Sequence, residues 1–171
     1  MTDFPELLRV LTGSHVEFIV VGGAAGTAHG APRLTVDLDV VYRRTPDNLA
    51  RVASALAPHQ PYPRGAPLGL PFQWDARTLQ FGGNFTLRTG LGFVDLLAEI
   101  AGGGTYEQLL PHCIWIELYG ARCLCLDLDM LIHTKRAAGR PKDFEAIAEL
   151  EVLRERRANQ GQPPAKSDVT G

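Results

Sequence analysis

Apolar positions along the chain alternate between helical and strand spacing. Leu7, Leu8 and Leu11 recur at helical intervals behind Asp3 and Pro5, and predict a short helix over 3–12 that Gly13 ends. Val16 to Val21 is an apolar, β-branched run of strand length. Gly22-Gly23 follow it, and the small residues up to Gly30 predict a helix. Ala31-Pro32-Arg33-Leu34 leads to a second strand, Val36 to Tyr42. Thr45-Pro46-Asp47 opens a helix to Leu56, with Leu49, Val52, Ala53 and Leu56 on one face. Residues 57–71 contain five prolines and predict a loop. Strands are predicted at 77–81, 84–89 and 91–97, with Gly82-Gly83 as a hairpin turn between the first two. Gly102-Gly103-Gly104 breaks the pattern, and Thr105-x-x-Gln108 is a capping box for a short helix. Residues 114–118 and 121–126 read as a hairpin around Tyr119-Gly120, followed by helices over 128–138 and 142–157. The polar end predicts a disordered tail over 158–171 behind one domain of 1–157. Interleaved helices and strands predict an α/β (α+β) fold with a mixed sheet flanked by helices.

Composition narrows the class. A chain of 171 residues with 45% apolar and 21% charged residues is one ordinary globular domain. Seventeen basic against 19 acidic residues argue against both a basic nucleic-acid coat and a polyacidic tail. No apolar run is long enough to span a membrane, and the N-terminus lacks signal-peptide character, so a cytoplasmic protein is expected. Cys113, Cys123 and Cys125 lack the paired spacing of a zinc site and read as reduced, buried thiols.

Two features of the second strand and the turn before it carry chemistry. Asp is depleted in strands, yet Asp37 and Asp39 both sit in Val36-Asp-Leu-Asp-Val-Val-Tyr42. At i and i+2 they share one face, where their charges repel unless a cation compensates; hard oxygen ligands suit Mg²⁺. Gly22-Gly23 closes an apolar strand and opens a helix, where free N–H groups and the absence of a side chain suit a phosphate. No lysine follows as a P-loop requires. A dinucleotide fingerprint would put Val21 in place of its first glycine.

With these residues the chain resembles the DNA polymerase β-like nucleotidyltransferase superfamily, whose signature is a strand ending in Gly-Gly or Gly-Ser and then Asp-h-Asp-h, h being apolar. Here the match is Val21-Gly22-Gly23 and, after a gap of thirteen residues, Asp37-Leu38-Asp39-Val40. The wider pattern of Gly22-Gly23-Ala24, Ala28-His29-Gly30 and Arg33-x-Thr35-x-Asp37-x-Asp39 is similar to AbiEii-type toxin-system proteins, and resumes at Lys135 to Asp143. The resemblance implies a third carboxylate on a nearby strand. Asp95, in Gly92-Phe-Val-Asp-Leu-Leu97, is the best match; Asp75 and Glu99 are weaker ones. It also implies that Gly22, Gly23, Arg33, Thr35 and Lys135 contact the nucleotide.

Other candidates read as structural. Asp127-Leu-Asp129 precedes a helical pattern, so Asp127 caps it and Asp129 sits in the first turn. Lys135, Arg136, Arg140 and Lys142 form the densest basic cluster, with Arg140 and Asp143 expected to pair or to cap the next helix. His29 lies among small residues and reads as a packed side chain, and Trp74 and Trp115 as core or rim.

The first functional reading is an Mg²⁺-dependent transfer of a nucleoside monophosphate from an NTP, ATP among them, to an acceptor hydroxyl on RNA, protein or a small molecule. Asp37, Asp39 and Asp95 would hold two Mg²⁺ ions, and acceptor recognition would fall to the 57–71 loop, the last helix or a partner. The second is a non-catalytic module of the same fold, binding a toxin–antitoxin partner. A third, a dinucleotide-binding oxidoreductase, would bind NAD(P) without Mg²⁺.

Overall fold

The computed structural model describes residues 1–161. Helix α1 (Phe4–Gly13) leads into β1 (Phe18–Val21), α2 (Gly22–Ala28), β2 (Asp37–Tyr42) and α3 (Pro46–Leu56). The middle of the chain forms β3 (Tyr62–Pro63), α4 (Ala76–Phe81), β4 (Phe85–Thr89), β5 (Gly92–Leu97), β6 (Glu99–Ile100), β7 (Gly104–Thr105) and α5 (Tyr106–Leu109). The hairpin β8 (Cys113–Leu118) and β9 (Ala121–Leu126), then α6 (Leu128–Ala138) and α7 (Pro141–Asn159), complete it.

Seven strands make one mixed sheet in the order β3-β4-β5-β2-β1-β9-β8. β1 runs parallel to β9, and β2 parallel to β5; the other neighbours are antiparallel. The inner strand β1 is buried throughout, as its unbroken apolar run requires. Helix α1 lays Leu7, Leu8 and Leu11 into the core, and Asp3 caps it by accepting from the Glu6 N–H at 3.0 Å. Helix α3 buries Leu49, Val52, Ala55 and Leu56, while Ala53 is only partly covered. Its buried Asn48 accepts from the Glu17 N–H and donates to the Glu17 and Arg43 carbonyls, so a polar side chain ties the ends of β1 and β2 together.

Two expectations fail in one place. Residues 77–81 are helical, and Gly82-Gly83 joins a helix to β4 instead of turning a hairpin. Leu79 and Phe81 alternating with Thr78 and Gln80 suit a strand, but the Asp75 carboxylate accepts the Thr78 N–H at 2.7 Å and starts α4. Only Leu79 of this helix is buried. Tyr42 then donates its hydroxyl hydrogen to the Gly83 carbonyl at 2.7 Å and fixes the linker. The 57–71 segment is mostly irregular, as expected, yet Tyr62–Pro63 adds the edge strand β3 to the sheet. Cys113, Cys123 and Cys125 are free and buried, and burial pushes the first two thiols up to about 12 and about 11. No described helix is long and apolar enough to cross a membrane. Helix α7 reaches Asn159, and the rest of the expected tail, from residue 162, lies outside the described residues.

Candidate active site

The site forms where β1 ends between the two strands that carry acids. Antiparallel pairing sets Val21 opposite Asp39, so the Gly22-Gly23 turn meets the Asp39 carboxylate. Parallel pairing of β2 with β5 sets Asp39 opposite Asp95 and Asp37 opposite Phe93. Residues in register share a face, as do residues two apart. Asp37, Asp39 and Asp95 therefore converge, each presenting a carboxylate oxygen within 4.8 Å of the other two.

The glycines make room for this cluster. Gly22 has φ +63°, and a Cβ there would overlap Asp39 Oδ2. A Cβ on Gly23 would stand 2.7 Å from Thr35 Oγ1. Thr35 donates that hydroxyl to the Asp37 carbonyl at 3.0 Å, so it fixes the start of β2.

Crowded acids compete for protons. Burial, then the neighbouring Asp95 and Asp37, push the Asp39 carboxyl up to about 7. Asp95 is also raised, chiefly by burial, with Arg64 opposing the shift. Asp39 Oδ1 is buried and has no hydrogen-bond partner among the described residues. Three hard carboxylates on one face, one with an orphaned oxygen, form a donor set that fits a divalent cation such as Mg²⁺.

A cavity of about 380 Å³ opens on the Asp39 side, lined by Gly22, Asp39, Asp95, Glu99, Lys135 and Arg140 among others. Lys135 projects from α6, half-buried, and burial lowers its pKa. No carboxylate pairs directly with it among the described residues. Arg140 donates to Asp143 at 2.8 Å, the expected pair. Burial alone would raise Asp143, but Arg140 and Lys135 outweigh it and hold the carboxyl below its ordinary range.

The remaining candidates separate from this centre. Arg33 directs its guanidinium to Glu145 and Glu149 of α7 at 3.0 and 3.1 Å, and shares only a small cavity of about 30 Å³ with Gly23 and Lys135. His29 Nε2 faces the Leu126 carbonyl at 2.7 Å, and Arg157 approaches Nδ1 at 3.1 Å and donates to the His29 carbonyl. That pattern fits a neutral ring with its proton on Nε2, and burial lowers its pKa accordingly. His29 thus fastens α2 to β9 and α7. Asp75 is a helix cap, and Asp127 accepts the Met130 N–H at 2.7 Å and caps α6, with Asp129 in its first turn. Glu99 is exposed at the cavity rim. Arg136 pairs with Glu151, and Lys142 is exposed. Trp74 donates to the Ala53 carbonyl at 2.9 Å and packs between Phe72 and Phe85; Trp115 is half-exposed under Arg122.

Arg64 completes the site and was invisible in the sequence pattern. It donates to Asp95 Oδ1 at 2.9 Å and faces Asp37 Oδ2 at 3.3 Å, so one guanidinium bridges two of the three acids. It lies just beyond β3, in the proline-rich segment whose lack of period gives no sign of which side chain turns inward.

Among solved structures, the chain resembles the solution structure of the antibiotic-resistance factor ANT(2")-Ia, with TM-score 0.50 and 13% identity over 91% of this chain and 89% of that one. A crystal structure of ANT(2")-Ia with adenylyl-2"-tobramycin aligns at TM-score 0.49 and 13% identity, covering 90% and 94% of the two chains. The Thermotoga maritima protein TM1012, assigned as a nucleotidyltransferase, aligns at 0.47 and 15%, covering 93% and 96%. No family model and no curated protein matches the chain by sequence. The chain has a nucleotidyltransferase fold. It agrees with the expected mixed sheet flanked by helices.

Proposed function

We propose that the protein transfers a nucleoside monophosphate from an NTP to an acceptor hydroxyl, with Mg²⁺ held by Asp37, Asp39 and Asp95. The observation that carries this reading is the convergence of three strand-borne carboxylates beside a glycine turn and a cavity lined by Lys135, which has no carboxylate partner among the described residues. Bound divalent ions would supply Lewis-acid stabilisation of the attacking and leaving oxygens. Asp37, Asp39 and Asp95 would hold these ions through their carboxylate oxygens. Gly22 and Gly23 offer backbone N–H groups to the β- and γ-phosphates, and Lys135 neutralises their charge from α6. Arg33 and Thr35 serve the nucleotide from behind, Thr35 by holding Asp37 and Arg33 through the α7 contacts that border Lys135.

The chemistry follows from these positions. The acceptor oxygen bonds to the α-phosphorus, the bond from that phosphorus to the pyrophosphate oxygen breaks, and pyrophosphate leaves. The hydroxyl proton passes to the Asp95 carboxylate, the general base of this reading. ATP is the first NTP to try. ANT(2")-Ia binds an adenylylated tobramycin, which makes a small polyol one acceptor class to test beside RNA and protein. A toxin-system role rests on the AbiEii-like pattern around Arg33, Thr35, Asp37 and Asp39.

The test is transfer of label from α-labelled NTPs with Mg²⁺ to acceptors in a cell lysate. Asp37→Ala with Asp39→Ala is expected to lower transfer by about a thousandfold or more. Equal transfer by both proteins would contradict the reading.

A further inference from the structure

Arg64 does more than neutralise charge. Its Nη1 faces Asp37 and its Nη2 is shared between Asp95 Oδ1 and the Leu87 carbonyl, both at 2.9 Å. Its Cζ lies 4.3 Å from the centre of the Phe93 ring, and Phe93 is the register partner of Asp37. A cation therefore already occupies the space beside two of the three acids, seated on an aromatic face. Its Nε is buried without a partner among the described residues, so the arrangement leaves one of the guanidinium's own donors unsatisfied.

A divalent ion bound to the same carboxylates would stand within a few ångströms of this guanidinium, and like charges that close repel strongly in a half-buried site. The two cations cannot share Asp37 and Asp95 at full strength. The backbone around Arg64 permits an exchange. Its N–H bonds to the Thr86 carbonyl at 2.9 Å and anchors the main chain at β4. Beyond it, Gly65, Pro67, Gly69 and Pro71 form no helix or strand before α4. Rotation of the side chain alone withdraws the charge while the sheet stays intact.

We infer that Arg64 is an internal competitor for the metal: it holds Asp37 and Asp95 in place in the ion-free protein and is displaced when a divalent ion binds. Arg64 is thus a positioning residue that sets the metal affinity of the triad. The inference rests on the triad being a metal site, as the proposed function holds, and does not require transfer activity.

Calorimetric titration of Mn²⁺ into the full chain tests it. Arg64→Met keeps much of the side chain's length and removes its charge, and is expected to bind Mn²⁺ about tenfold more tightly than wild type. In the wild-type protein, the Arg64 side-chain nitrogen signals are expected to shift on titration with diamagnetic Mg²⁺, as the ion pairs break. This second readout does not depend on how well the variant folds. Equal or weaker Mn²⁺ binding by a folded Arg64→Met, or Arg64 signals unmoved at saturating Mg²⁺, overturns the inference. Lost transfer with intact Mn²⁺ binding would contradict the proposed reaction and leave this inference standing. No ion bound by either chain overturns both.

Discussion

Asp39 concentrates the physics of the site in one side chain. It lies between Asp37 on its own strand and Asp95 across the ladder, with one oxygen buried and without a partner among the described residues. The fold therefore favours its neutral form, with a proton affinity near pH 7 instead of the ordinary carboxylate range. The sign follows directly. Below the unfolded-state value both states hold the proton and the group costs nothing. As pH rises towards 7 the unfolded chain has released its proton while the fold retains one, so the ion-free protein loses stability. Metal binding expels that proton. The Mg²⁺ association constant is expected to rise about tenfold per pH unit below 7 and to flatten above it, as calorimetry across pH 5–8 will read. A flat profile would mean that Asp39 is already ionised in the ion-free protein. Asp37 and Asp39 were legible because a strand with alternating acids is chemically anomalous; Asp95 was legible only through the family resemblance, as a lone acid in an apolar strand. Arg64 was not, because a long side chain on an aperiodic segment leaves no pattern.

At the scale of elements, caps decide what propensity leaves open. Asp127 and Asp75 are both read most simply by the N–H each accepts, from Met130 and Thr78. Asp127 was recognisable because a helical apolar pattern follows it. Asp75 was not, because Arg77 to Phe81 alternates like a strand and buries only Leu79. The two D-x-D pairs of the chain thus do opposite work: one lies along a strand facing a glycine turn, the other caps a helix. Asp127→Ala is expected to destabilise the fold by about 1 kcal/mol, measured by urea unfolding, and to leave Mg²⁺ binding unchanged. Weakened Mg²⁺ binding in a folded Asp127→Ala would mean that the second pair also serves the metal. The sequence suits the Gly22-Gly23 turn to a phosphate; the structure adds that the missing side chains leave room for Asp39 and Thr35.

Across the whole molecule, a net charge of −2 conceals strong local order. Negative charge gathers at the junction of β1, β2 and β5, and Lys135 from α6 and Arg64 from the segment after β3 approach it. Helix α7 then fastens the periphery: Arg157 reaches His29 on α2, Glu145 and Glu149 hold Arg33, Arg154 reaches Asp129, and Glu151 pairs with Arg136. Apart from the contact to buried His29, these outer pairs are largely exposed and contribute little individually. Together they orient α7 against α2 and α6, the two helices that border the cavity. The mixed sheet was legible from strand periodicity. Its strand order was not, since pairing between β2 and β5, or β1 and β9, joins segments far apart in the chain.

The most direct test is anomalous diffraction from crystals grown with Mn²⁺ and a non-hydrolysable NTP. A manganese peak bounded by Asp37, Asp39 and Asp95, with phosphate density between Gly22 and Lys135, is the predicted result. Manganese bound elsewhere, or a nucleotide seated away from these residues, would contradict the assignment of the triad as the catalytic centre.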